Sequence, residues 1–149
     1  MKQHFNKLTL LAICLLLCSV TVLGSKKPKQ EMYQLTVYQY TTAQQEATLD
    51  SYLKDALLPA LHKNGYKNIG VFKSLANDTA KIKTMFVYMP VKNVADQLLL
   101  TEKLNKDTAY QSAGAAYLNA PYTTPPYSRM EIILLKAFHL APQMQLPML

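Results

Sequence analysis

From Met32 to Tyr40 apolar and polar positions alternate, with Tyr33, Leu35 and Val37 pointing one way and Gln34, Thr36, Tyr38 and Tyr40 the other. That period of two predicts a strand. The hydroxyls of Thr41 and Thr42 can then cap a helix, and Leu49, Leu53, Ala56, Leu57, Ala60 and Leu61 recur at helical spacing up to Asn64-Gly65, where the glycine suits a C-cap. Pro59 falls inside this pattern. Its missing N–H and its ring predict a kink, or a break after Leu57. Asn68–Lys73 and Lys81–Met89 read as two strands joined through the turn-prone Ala76-Asn77-Asp78-Thr79, a hairpin with a longer loop. Asn93, with Asp96 three residues on, opens a helix through Leu98, Leu99 and Leu104, and a shorter helix is predicted over Asp107–Leu118. The prolines of Asn119–Tyr127 make a stiff loop, Met130–Phe138 forms a last strand, and an irregular tail with Pro142 and Pro147 follows.

The order β-α-β-β-α-β, with an extra helix before the final strand, predicts an α+β, ferredoxin-like domain: a four-stranded antiparallel sheet with its helices on one face. The other face then needs cover. Ile132 and Leu134 point opposite to Ile133 and Leu135, and the strand over Lys81–Met89 is likewise apolar on both sides. Helices can cover one face only, so a continuous apolar patch would remain. A second copy packed sheet to sheet predicts a homodimer through the open face. The competing, monomeric reading has the C-terminal tail cover it.

The ends of the chain bear on compartment. Lys2 and Lys7 precede an apolar stretch from Leu8 to Leu23, and Gly24 precedes Ser25. This reads as a secretory signal over residues 1–24 and predicts a secreted or periplasmic protein that meets the membrane only through its leader. A retained membrane anchor fits less well, since the stretch is shorter than the roughly 20 apolar residues that span a bilayer. Lipidation at Cys18 fits less well too, because Leu17 precedes it. Residues 25–30 read as a solvated linker, 31–140 as the domain and 141–149 as the tail. Both cysteines lie in the leader. The mature chain therefore has no disulfide, thiolate nucleophile or cysteine-held metal.

The formal charge of +7 is concentrated at the start, since five of the 16 basic residues precede Glu31. From Glu31 onward 11 basic residues face 9 acidic ones, which argues against nucleic acid as a partner. No P-loop, dinucleotide-binding glycine fingerprint, zinc-protease helix or nucleophile elbow is present. No cofactor and no metal site are predicted.

Several stretches carry a family likeness. Met32–Tyr38 opens the domain, Leu57-Leu58-Pro59-Ala60-Leu61-His62-Lys63-Asn64-Gly65 closes the first helix, and Ile69-Gly70-Val71-Phe72 follows. Together they resemble the NIPSNAP family. Tyr117–Tyr122, Pro125-Pro126-Tyr127, Arg129–Ile132 and Leu134–Phe138 look like its exported bacterial branch. The resemblance spans essentially the whole mature chain and implies a dimeric α+β barrel, two ferredoxin-like units packed through their sheets. It implies a binding or interaction module of undetermined biochemical activity and carries over no catalytic residue. The absence of tryptophan departs from many members.

Candidate ligand-binding residues follow from the strand faces. If the face bearing Gln34, Thr36, Tyr38 and Tyr40 lines the space between two sheets, these groups would orient a small apolar ligand there. Ordinary filling of the barrel by satisfied hydroxyls is the plainer reading. Glu131, beside Arg129 in an apolar strand, would be a carboxylate of raised pKa able to move a proton, or else half of a surface ion pair. His62 ends the first helix, where a structural role suits it. An alternative function, a cofactor-independent or haem-using oxygenase of the same barrel superfamily, would place Tyr38, His62 and Glu131 around one pocket. A protein partner at the barrel or at the Pro/Tyr loop is the other binding mode. Asn77-Asp78-Thr79 has the form of a glycosylation sequon, and Asp78-Thr79-Ala80 and Asp107-Thr108-Ala109 match a short acceptor pattern for bacterial O-glycosylation.

Overall fold

The computed structural model describes residues 29–145. The predicted leader, most of the linker and the last four residues of the tail lie outside them. Four strands, β1 (Met32–Tyr40), β2 (Gly70–Lys73), β3 (Lys83–Val91) and β4 (Arg129–Lys136), form one antiparallel sheet in the order β2-β3-β1-β4. This is the α+β, ferredoxin-like arrangement. Helices α1 (Ala43–Ser51), α2 (Leu58–Lys63), α3 (Val94–Lys106), α4 (Thr108–Ala113) and α5 (Ala115–Leu118) complete it. Among the described residues no helix is long and apolar enough to cross a membrane.

The first helical segment begins where the hydroxyls allow: Thr42 Oγ1 accepts the Gln45 N–H at 3.1 Å, and Gln45 Oε1 accepts the Thr41 N–H at 2.9 Å. Of the two expected outcomes at Pro59, a kink or a break after Leu57, the break does not occur. Tyr52–Leu57 instead winds as a π-helix joining α1 to α2, with the Leu58 N–H donating to Leu53 O, five residues back. The wider π register accommodates the turn in which proline supplies no N–H, so the helix continues and keeps Leu53, Ala56, Ala60 and Leu61 on the sheet. Asn64 caps the end, and Gly65 takes φ +83°, a left-handed conformation that suits glycine.

The hairpin turn is a 3-10 helix, Leu75–Asp78, rather than an open loop. Asn77 is buried beneath it and is bonded to both polar groups of the Thr84 backbone, which withdraws the predicted sequon from the surface. Pro90 pairs with Tyr33 on β1, beyond the last residue of β3 that β2 reaches, Tyr88. A strand residue without an N–H is tolerated there because no neighbour on that side needs it. Asn93 caps α3 as expected, its Oδ1 accepting the Asp96 N–H at 2.9 Å. The predicted helix over Asp107–Leu118 is divided at Gly114. A Cβ there would come within 3.3 Å of the Ala56 Cβ and 3.0 Å of the Tyr110 carbonyl, so the small residue lets α4 and α5 approach the π segment.

The core lies between the helices and one face of the sheet: Tyr38 and Tyr40 from β1, Met85, Val87 and Met89 from β3, with Leu49, Leu53, Ala56, Leu61, Leu100 and Tyr110 above them. Tyr40, Leu49, Leu61 and Met85 are the largest wholly buried side chains. Burial of each aliphatic side chain of this kind contributes on the order of 1.5–3 kcal/mol.

Candidate functional site

The sequence-predicted residues do not converge. Gln34, Thr36, Tyr38 and Tyr40 occupy the helix-covered face of β1, not the open one, which corrects their expected position between two sheets. The phenol rings are large apolar surfaces with one polar atom, and the helices supply partners for both parts. Gln34 Nε2 donates to Thr36 Oγ1 at 3.1 Å, and Tyr40 Oη accepts from Asn77 Nδ2 at 3.2 Å. Burial, then the nearby Glu46 carboxylate, pushes the Tyr40 hydroxyl above its ordinary pKa. Glu131 pairs across the strands with Val37, so it is on the opposite face. Arg129 Nη2 sits 2.6 Å from its Oε1, and both side chains are well exposed, the geometry of a surface ion pair rather than of a desolvated acid. His62 is exposed on α2, its Nδ1 3.1 Å from Tyr66 O. Tyr38, His62 and Glu131 therefore share no pocket. The oxygenase reading loses its proposed constellation.

Tyrosines dominate the covered face. Tyr117 stacks on Tyr52 with centroids 3.8 Å apart and 7° between planes, and it meets Tyr38 edge-on at 6.3 Å. Tyr127 packs at 5.7 Å from Tyr38 and 5.9 Å from Tyr117, while the hydroxyls of Tyr52 and Tyr110 are 2.8 Å apart. Burial drives the Tyr38 hydroxyl upward, and drives those of Tyr52 and Tyr117 far above the ordinary range. These phenols stay neutral near pH 7. Burial and the neighbouring tyrosines cause these shifts, and the cluster is suited to packing and hydrogen bonding. Its members come from β1, the π segment, α4, α5 and the Pro/Tyr loop. Only their joint burial, not any local spacing, reveals the group.

The Pro/Tyr loop is fastened at two points. Gln45 Nε2 donates to Pro125 O at 3.1 Å, and the Ser128 N–H donates to Gln39 O at 2.7 Å. A shallow cavity of about 420 Å³ remains between this loop and α1, lined by Thr42, Gln45, Thr48, Pro121, Thr124 and Pro125 among others. A larger one, about 630 Å³, opens at the other end of the sheet, between the start of β1, the end of β3, the α2–β2 loop and the tail.

The open sheet face carries Tyr33, Leu35 and Val37 of β1, Phe86 and Tyr88 of β3, Phe72 of β2, and Ile133 and Leu135 of β4. Phe72 is 57% exposed, and its ring lies over Gly70, where a Cβ would collide with it. Ile133 and Leu135 are 38% and 39% exposed. The tail lies beside one end of the sheet, Pro142 O accepting the Glu31 N–H at 2.8 Å and the Met144 N–H donating to Glu31 Oε2 at 2.9 Å. Its described residues leave Phe72, Ile133 and Leu135 exposed.

No family model matches the sequence, and no curated protein matches it. Solved structures do. A NIPSNAP family protein from Agrobacterium tumefaciens str. C58 superposes with a TM-score of 0.59 at 12% identity, covering 78% of this chain and 94% of its own. An uncharacterized NIPSNAP domain protein from Burkholderia xenovorans superposes with a TM-score of 0.54 at 15% identity, covering 75% of this chain and 99% of its own. Identities this low speak to architecture alone. The chain has the ferredoxin-like fold of these NIPSNAP domain proteins.

Proposed function

We propose that the chain is an exported NIPSNAP-like protein that works as a dimeric binding or interaction module, two copies joining through their open sheet faces into an α+β barrel. The exposed aliphatic and aromatic face carries this reading. Strands at about 4.8 Å spacing and about 3.3 Å rise per residue, with β2 only 4 residues long, make a face of roughly 450 Å², so two such faces come close to the approximately 1,000 Å² of a specific interface. A twofold pairing buries Phe72, Ile133 and Leu135 of both copies and needs no other partner. Export rests on the leader pattern, Lys2 and Lys7 before the apolar stretch that ends at Gly24. Small-angle scattering across a concentration series tests the assembly. A particle of twice the chain mass supports it, and a monomer at every concentration refutes it.

A further inference from the structure

One face of β4 is left bare that a face-to-face dimer does not reach. Met130, Ile132 and Leu134 pair across the strands with Tyr38, Thr36 and Gln34, so they share the face that the helices cover. The cover stops at β1. Val87 and Met89, the β3 partners of Thr36 and Gln34, are buried, whereas Ile132 and Leu134, their β4 partners, are 57% and 47% exposed. β4 is also the end strand of the sheet, with a free outer edge. An end strand of eight residues, apolar on both sides and without proline, is one that folded proteins cover. Pairing through the open sheet faces buries Ile133 and Leu135 but not this strip, and two such faces give roughly 900 Å², short of the 1,200 Å² or so at which stable interfaces begin.

A knob of matching chemistry projects from the β2–β3 connection. Leu75 is 99% exposed. A single exposed leucine is ordinary, but this one stands on a braced turn. Ser74 Oγ accepts the Ala76 N–H at 3.3 Å, the Ser74 N–H donates to Thr84 O at 3.2 Å, and buried Asn77 bonds to Thr84 and to the Tyr40 hydroxyl. The bond to Tyr40 also sets the turn on the helix side of the sheet.

The strand order brings knob and strip together. Two sheets of order β2-β3-β1-β4 that close into a barrel about a twofold along its axis set β2 of one copy beside β4 of the other. Neighbouring strands are antiparallel throughout the sheet, so this pair runs antiparallel too. The end of β2 that leads into Leu75 then approaches the start of β4, where Met130 begins the bare strip.

We propose that Leu75 of each copy seats on the strip formed by Met130, Ile132 and Leu134 of the other, so that β4 is gripped on both faces. The inference rests on the dimer proposed above and adds the contact that fastens its edges.

The dimer dissociation constant, measured by sedimentation velocity over a dilution series, tests it. Leu75→Glu should raise that constant by about a hundredfold, because the contact occurs twice and each leucine lost from it is worth about tenfold. The side chain is free in the single chain, so the fold seen by circular dichroism should not change. Ile132→Glu should weaken the dimer likewise, and the double variant should cost less than the two singles together, since both break one contact. A monomeric unaltered protein overturns this inference along with the dimer itself. A dimer lost in Leu135→Glu but untouched by Leu75→Glu overturns the inference alone and leaves the strip to another occupant. Full additivity of Leu75→Glu and Ile132→Glu also overturns it, by placing the two residues in separate contacts.

Discussion

Replacing Asn77 by alanine removes the polar centre of the β2–β3 connection. Asn77 is 7% exposed, and its side chain makes three hydrogen bonds: Nδ2 to Tyr40 Oη at 3.2 Å, Nδ2 to Thr84 O at 2.9 Å, and Oδ1 from the Thr84 N–H at 2.9 Å. Each bond contributes about 0.5–1.5 kcal/mol net, and a buried partner left unsatisfied costs about 1–3 kcal/mol. Water can reach part of the opened site, so the expected loss is about 2–4 kcal/mol. For a domain of this size that lowers the melting temperature by roughly 10 °C. Urea unfolding followed by circular dichroism, at fixed protein concentration, measures it. Tyr40→Phe alone should cost about 1 kcal/mol, and the double variant less than the sum of the two, because both singles break the same Asn77–Tyr40 bond. A loss below about 0.5 kcal/mol for Asn77→Ala, or strict additivity, would refute the reasoning. The same burial predicts that Asn77 receives no glycan in a glycosylating host, checked by intact mass.

The remaining predictions are brief. Gly65→Ala should destabilise by about 1 kcal/mol, since its φ of +83° penalises any Cβ while its surroundings are open; urea midpoints check it. Tyr52→Phe removes the hydroxyl 2.8 Å from that of Tyr110 and should cost about 1 kcal/mol, with the stacked Tyr117 ring keeping the loss small. Tyr38, Tyr52 and Tyr117 have native pKa values raised by burial, so their contribution is complete below the unfolded value near 10 and is lost as pH rises toward the native values. Stability should therefore fall above about pH 10, by up to about 1.4 kcal/mol per pH unit for each such tyrosine; three tyrosinates forming near pH 10 at 295 nm with the fold intact would contradict this.

Local patterns were the legible part of this chain. The alternation over Met32–Tyr40 marks a strand because a pleat permits no other period, and Thr42, Asn93 and Gly65 mark helix ends because the free backbone groups there need such residues. Pro59 signalled an irregularity but not its form: the register widens over Tyr52–Leu57 in place of a break after Leu57, and the apolar stripe holds the helix on the sheet. The faces of β1 misled for another reason. Tyr38 and Tyr40 count as polar in a pattern, yet each ring is mostly apolar, and partners as remote as Asn77 and Tyr117 satisfy their hydroxyls beneath the helices. The side bearing Tyr33, Leu35 and Val37 is the one left open. Candidate chemistry at Gln34, Thr36, Tyr38, Tyr40, His62 and Glu131 was thereby scattered over two faces and a helix end. The cavity at Tyr33 and Tyr66 joins residues far apart in the chain through left-handed turns, which no hydrophobic pattern records.

Sedimentation equilibrium on three proteins tests the central claim, that a second copy covers the open sheet face. Leu135, on that face, and Leu98, on the outer side of α3, are both exposed leucines, at 39% and 69%. The unaltered protein and Leu98→Glu should sediment as dimers. Leu135→Glu should sediment as a folded monomer, because an unpaired carboxylate buried between two sheets costs several kcal/mol. A monomeric unaltered protein, or a dimer that survives Leu135→Glu unchanged, would contradict the account.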